Sequence, residues 1–191
     1  MRNDTYCKRL KVWMGIICLI ICASCSSREE QIKLLKQTQI HIPLEQMEKL
    51  PSPIQKDTSM NDAELYFLAY EDSTSCNTCK LSHIGNWNSV MNKVNTRAKV
   101  ALLFIISPKE AELEEVKQFY YSKRVPFPIY IDAKGALETT NPLLCNTLFH
   151  YLLIDNKGKV LYLGDPTQSA TSEEMLLRTI DYWSEHYKNK R

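Results

Sequence analysis

Cys76-Asn77-Thr78-Cys79 is the short spacing in this chain that points most directly to chemistry. Two thiols three residues apart can close a reversible disulfide. Where the first falls in the opening turn of a helix, unpaired N–H groups and the positive end of the helix dipole stabilise its thiolate. Cys79, one turn deeper, could then attack a mixed disulfide formed at Cys76. The bland reading of the same pair is a permanent surface disulfide closing a very small loop. His83 follows on the same helical face, so a Cys/Cys/His set suited to copper or zinc is open, and His150 is a second candidate. A solvent-facing histidine is the simpler reading, and neither metal nor cofactor is assigned. Cys145 reads as a free, buried thiol packing as a small hydrophobe; an approach to the pair is the alternative.

The elements that must position this pair are legible from about residue 64 onward. Glu64 to Tyr70 (ELYFLAY) is an apolar run bounded by Asn61-Asp62 and Glu71-Asp72-Ser73, which predicts a buried strand. Thr74 or Ser75 can cap a helix whose apolar face is Ile84, Trp87, Met91 and Val94. Lys99 to Ile106 (KVALLFII) is a strand covered on both faces. Ser107-Pro108-Lys109-Glu110 combines an N-cap, a proline and a capping-box Glu ahead of a helix through Leu113, Val116 and Tyr120. Phe127 to Asp132 predicts a strand and Lys134 to Leu144 a short helix. Tyr151 to Asp155 and Lys159 to Leu163 flank a turn at Asn156-Lys157-Gly158, a hairpin pattern. Thr171 to Glu174 is a second capping box, and Leu176, Ile180, Trp183 and Tyr187 line the last helix. Strands joined by helices imply parallel pairing with right-handed crossovers, and the hairpin adds antiparallel strands.

The N-terminal segment reads differently. Arg2, Lys8, Arg9 and Lys11 precede an apolar run of about ten residues, Val12 to Ile21, the size of an export-signal core. It is shorter than the roughly 20 residues that span a bilayer. The run ends in Cys22-Ala23-Ser24-Cys25, which looks like the lipobox of bacterial lipoproteins, with Cys22 where leucine is usual. That likeness implies cleavage after residue 24, acylation of Cys25 with palmitate-type chains, and a firm membrane anchor, since more than one buried chain gives stable attachment. Ser26 then favours the outer membrane of the cell envelope. Residues 25–60 read as a tether of about a dozen residues and an N-terminal extension, with a short strand near Gln39 to Ile42 and a helical turn around Leu44 to Leu50. Residues 61–191 form the domain.

Residues 1–24 carry four basic and one acidic residue, and removing them takes the formal charge from +2 to −1. With no basic stripe, nucleic acid is not an expected partner. About 165 residues suffice for one core and not for two. Of seven cysteines, Cys76, Cys79 and Cys145 stay in the exported domain, and an oxidising compartment suits a close disulfide pair.

A strand, then CxxC opening a helix, then a further strand and helix, then a hairpin and a final helix, resembles the thioredoxin fold. The extra strand and helix near 125–144, followed by Leu152-Leu153-Ile154-Asp155-Asn156-Lys157-Gly158-Lys159-Val160, resemble the membrane-anchored reductases of the TlpA type. The likeness covers about residues 60–187. It implies an α/β thioredoxin-like fold: a central mixed sheet flanked by helices, with a strand-helix insertion. It also implies thiol–disulfide exchange at Cys76 and Cys79. The partners would be exported proteins with cysteines or an envelope redox partner. The chain departs from that family at Ser75, where Trp is usual, and at Asn77-Thr78, where proline often occurs. It departs again at Phe149, which falls where the family has a cis-proline. Asp72-Ser73-Thr74-Ser75 does not reproduce the Pro and Thr motif of peroxiredoxins. A thioredoxin-fold binding module without turnover, or one holding a metal through Cys and His, is the alternative function.

Overall fold

The computed structural model describes residues 28–54, 62–74 and 77–187. The signal-like segment, Cys25 and Cys76 lie outside the described residues. The chain divides into two units, Met1–Thr38 and Gln39–Arg191. In the first, residues 28–37 form a helix, α1, where the sequence suggested a tether. Its order of charges explains it: Glu29 and Glu30 occupy the first turn and Lys33 and Lys36 the later ones, matching the helix dipole.

The second unit is built on a six-stranded sheet with the order β1-β4-β3-β2-β5-β6. Its strands are β1 (Glu48–Leu50), β2 (Leu65–Glu71), β3 (Val100–Ile106), β4 (Ile129–Ile131), β5 (Tyr151–Asp155) and β6 (Val160–Leu163). The helices are α2 (Asn77–Ser82), α3 (Asn86–Asn95), α4 (Leu113–Ser122), α5 (Ala136–Thr140) and α6 (Ala170–Tyr187). β2, β3 and β4 run parallel, in register Leu65↔Val100 and Phe104↔Ile129. β5 is antiparallel to β2 and β6 to β5. The central order β3-β2-β5-β6, with helices between the parallel strands and after the hairpin, is the thioredoxin-like arrangement. β4 and α5 are the insertion, on the β3 side.

The sheet is apolar on both faces because both are covered, and every residue of β3 is buried. Phe67, Ala69, Leu102 and Phe104 pack with Trp87, Val90 and Val94 of α3, Val116 and Tyr120 of α4, and Leu176, Ile180 and Trp183 of α6. A fully buried side chain of this size contributes about 1.5–3 kcal/mol, so this shared core is the main source of cohesion.

Several local expectations change. The run from Leu44 is helical only over Leu44–Gln46; Glu48–Leu50 then pairs antiparallel with β4. The stretch at 39–42 makes one bridge, Gln39 to Lys159. Ser107 does not cap a helix; its hydroxyl donates to the Asp132 carbonyl at 2.9 Å, tying the ends of β3 and β4 together. The helix expected after residue 75 breaks between α2 and α3, and Ile84, Trp87, Met91 and Val94 are buried as the pattern required. α6 is capped by Ser169, whose Oγ accepts from the Ser172 N–H at 3.1 Å, so its start precedes the Thr171 box. Tyr187 is exposed at its other end.

Candidate active site

Open α/β sheets place reactive groups beyond the carboxyl ends of their parallel strands. Here those ends are bound together. The Ser107 N–H donates to the Glu71 carbonyl at 2.8 Å, and the Asp132 N–H to the Ile106 carbonyl at 2.8 Å. Asp132, fully buried, accepts from the N–H groups of Ala136 and Leu137 at 2.8 Å each and so holds the start of α5. The chain that leaves β2 passes through Asp72, whose Oδ1 accepts from the Thr74 N–H at 3.0 Å and the Thr74 hydroxyl at 2.8 Å. This Asx turn closes two residues before Cys76 in the sequence.

Cys79 lies in α2, is exposed, and is disulfide-bonded. Its partner is outside the described residues. Leu81 of α2 and Ile84 of the turn that follows it are buried, at 0% and 1% exposure. His83 is exposed in the turn between α2 and α3, as its simpler reading had it.

Trp87 of α3 centres an aromatic platform on β2 and β5. The Trp87 ring stacks on Tyr151 at 6.1 Å between centroids and meets Phe67 at 5.1 Å. The Tyr151 hydroxyl donates to Oε1 of Glu71, which is 4% exposed at the end of β2. Burial, then the Glu71 charge, pushes the Tyr151 phenol well above its ordinary range, so it remains a donor even in alkaline solution.

The opposite face of β2 carries a second polar group. The Tyr70 hydroxyl donates to Glu138 Oε1 of α5 at 2.9 Å, and its ring lies edge-on to His150 at 4.7 Å. Burial, followed by Glu138, raises the Tyr70 phenol as well. Phe149 and His150 precede β5 and are 1% and 5% exposed. Phe149 occupies a 3-10 turn, Thr147–Phe149, in which the Leu148 N–H donates to Asn146 Oδ1 at 3.0 Å. Where the TlpA-type resemblance has a cis-proline, this chain therefore has a buried aromatic, and no described peptide bond is cis.

Cys145 is free, as read from the sequence, but exposed instead of buried. Its Sγ lies 3.8 Å from Glu138 Oε2. Desolvation, then the Glu138 charge, raises its thiol pKa. Its exposure has a simple cause: Pro142–Cys145 is a 3-10 turn that buries Leu144, leaving the next side chain outward.

Glu71, Asp72, Glu138 and Tyr151 were not singled out in the sequence. Glu71-Asp72 looked like polar punctuation after a strand. Their burial is set by partners near residues 138 and 150, too distant in sequence for local pattern to signal. Among the described residues, no helix is long and apolar enough to cross a membrane.

No protein-family model matches the sequence, and no curated protein matches it. Solved structures do. The chain is similar to StoA of Bacillus subtilis, at 17% identity, covering 69% of this chain and 96% of that one with a TM-score of 0.46. It is also similar to the thioredoxin domain of a thiol-disulfide oxidoreductase of Bacteroides vulgatus, at 10% identity, 75% and 98% coverage and a TM-score of 0.46. A third is the exposed lipoprotein thioredoxin Etrx1 of Streptococcus pneumoniae, at 16% identity, 63% and 86% coverage and a TM-score of 0.43. What makes this sheet thioredoxin-like is its own strand order and directions.

Proposed function

We propose that this chain is an extracytoplasmic thiol–disulfide oxidoreductase, anchored to the envelope through Cys25, with Cys76 and Cys79 as its redox pair. The observation that carries the reading is Cys79, exposed and disulfide-bonded in the helix that follows β2. Cys76, three residues earlier in the same connection, is the partner that the spacing supplies. In the reduced form, the Cys76 thiolate attacks a substrate disulfide. One substrate sulfur leaves as a thiolate and a mixed disulfide forms. The Cys79 thiolate then attacks Cys76 Sγ and expels the second substrate thiolate. Two electrons pass to the substrate and Cys76–Cys79 is left oxidised. An envelope dithiol, oxidised in turn, would return the pair to its reduced state.

Phe149 at the site-facing end of β5 favours a narrow range of partners. A family proline there leaves a backbone edge for an incoming polypeptide; a buried aromatic in a 3-10 turn offers a different surface. On this reading, activity on generic disulfide substrates is expected to be poor.

A redox titration of the purified protein tests it. Oxidoreductase pairs have potentials from about −120 to −270 mV, and structural disulfides of secreted proteins usually lie below about −300 mV. A midpoint in the first range supports turnover. One below the second makes the bond structural and leaves the binding-module alternative.

A further inference from the structure

Asp72, Glu138 and His150 come from three elements: the exit of β2, α5, and the residue before β5. One carboxylate oxygen from each acid and a ring nitrogen of His150 lie within 4.8 Å of one another. Asp72 is 7% and His150 5% exposed, and Glu138 is half-buried. Two carboxylate oxygens and an imidazole nitrogen this close together form a donor set that one cation would bridge.

The histidine narrows what that is. Its Nε2 is 3.0 Å from the Leu144 carbonyl oxygen. A carbonyl only accepts, so Nε2 bears the hydrogen and Nδ1 is the nitrogen left to act as a ligand. Among the described residues, no hydrogen bond reaches Nδ1. A buried imidazole with one N–H tied to a backbone carbonyl and the other nitrogen open is the arrangement that orients a metal-ligating histidine. The carboxylates are held in the same way. The Tyr70 hydroxyl donates to Glu138 Oε1 at 2.9 Å, and Thr74 donates twice to Asp72 Oδ1.

We propose that Asp72, Glu138 and His150 bind one divalent transition-metal ion, with zinc the best-matched occupant, at a site separate from the cysteine pair. One imidazole nitrogen and two carboxylate oxygens suit zinc better than calcium or magnesium, which take all-oxygen sets. Three donors at zinc distances in tetrahedral array stand roughly 3.4 Å apart, so small side-chain rotations close the observed cluster onto an ion. Three protein ligands leave a fourth position for water, as in open zinc sites.

The test is calorimetric titration of zinc chloride into the full-length chain with its disulfide oxidised, which removes the paired thiols as ligands. The wild type should bind one ion per chain saturably, and zinc should raise its melting temperature. Glu138→Gln and His150→Gln should each weaken binding by at least about tenfold and abolish the thermal shift. His83→Ala should change neither. Circular dichroism without metal establishes that each variant folds; should His150→Gln fail to fold, Glu138→Gln decides. Absence of saturable binding, binding unchanged in Glu138→Gln, or binding lost in His83→Ala each overturns the assignment.

Discussion

Tyr151, the first residue of β5, donates its hydroxyl hydrogen to the buried carboxyl of Glu71, the last residue of β2. The two residues are not register partners, since Tyr151 pairs with Ala69. The contact is a diagonal one across the antiparallel β2–β5 pair, and it joins the strand that leads to the cysteines to the strand that follows Phe149. Trp87 stacks on the same phenol. Removing the hydroxyl should therefore loosen both strand ends together.

Tyr151→Phe keeps the ring and deletes only the donor. Withdrawing a partner from a buried carboxyl costs about 1–3 kcal/mol. Urea unfolding should show the midpoint falling with an unchanged slope, the sign of lost stability without a change in compactness. An unaltered midpoint would mean that the bond contributes nothing net.

Tyr120 makes an alkaline prediction. It is fully buried, and its hydroxyl donates to the Phe127 carbonyl at 2.7 Å. Burial raises its phenol pKa. Above the ordinary tyrosine value of about 10, the unfolded chain loses this proton while the folded chain retains it, so stability falls as pH rises. Tyr120→Phe should lower stability at neutral pH by about 1 kcal/mol yet flatten its decline above pH ~10. Chemical unfolding at neutral and alkaline pH reads both effects.

Gly158 turns the β5–β6 hairpin with φ +79°, and an added Cβ would stand 2.2 Å from the Ile40 carbonyl oxygen. The Ile40 N–H donates to the Gly158 carbonyl at 2.8 Å. Gly158→Ala combines an unfavourable backbone region with a backbone collision, and should cost at least about 1–3 kcal/mol. Thermal melts compared with Gly85→Ala, where a Cβ meets nothing within 4 Å, check that the loss belongs to this turn.

The membrane anchor is tested at Cys25. Cys25→Ser should block lipid attachment and accumulate an unprocessed or released form, followed by fractionation and gel mobility. A variant that fractionates and migrates as the wild type does would contradict the lipoprotein reading.

How far the sequence reached depended on the range of the interaction involved. KVALLFII announced β3 because a strand covered on both faces needs unbroken apolar character. Asn156-Lys157-Gly158 announced the hairpin because Gly158 needs a positive φ. β1 was missed because Glu48–Leu50 is short, with Glu48 and Lys49 exposed, and is made a strand only by pairing with Ile129–Ile131. In the candidate site, the cysteines were visible through their spacing. Glu71 and Asp72 were not, since a buried acid and a turn acid look alike until Tyr151, Glu138 and His150 are brought beside them.

The central claim is that Cys76 and Cys79 exchange disulfides with exported partners, in distinct roles. Trapping in the native envelope, with disulfide-linked species separated under non-reducing conditions, tests it most directly. Cys79→Ser removes the resolving thiol, so mixed disulfides at Cys76 should accumulate; Cys76→Ser should trap almost nothing, and Cys145→Ser should leave trapping unchanged. Equal trapping by the Cys76→Ser and Cys79→Ser variants would contradict the assignment of roles, and no trapping by either would contradict exchange itself.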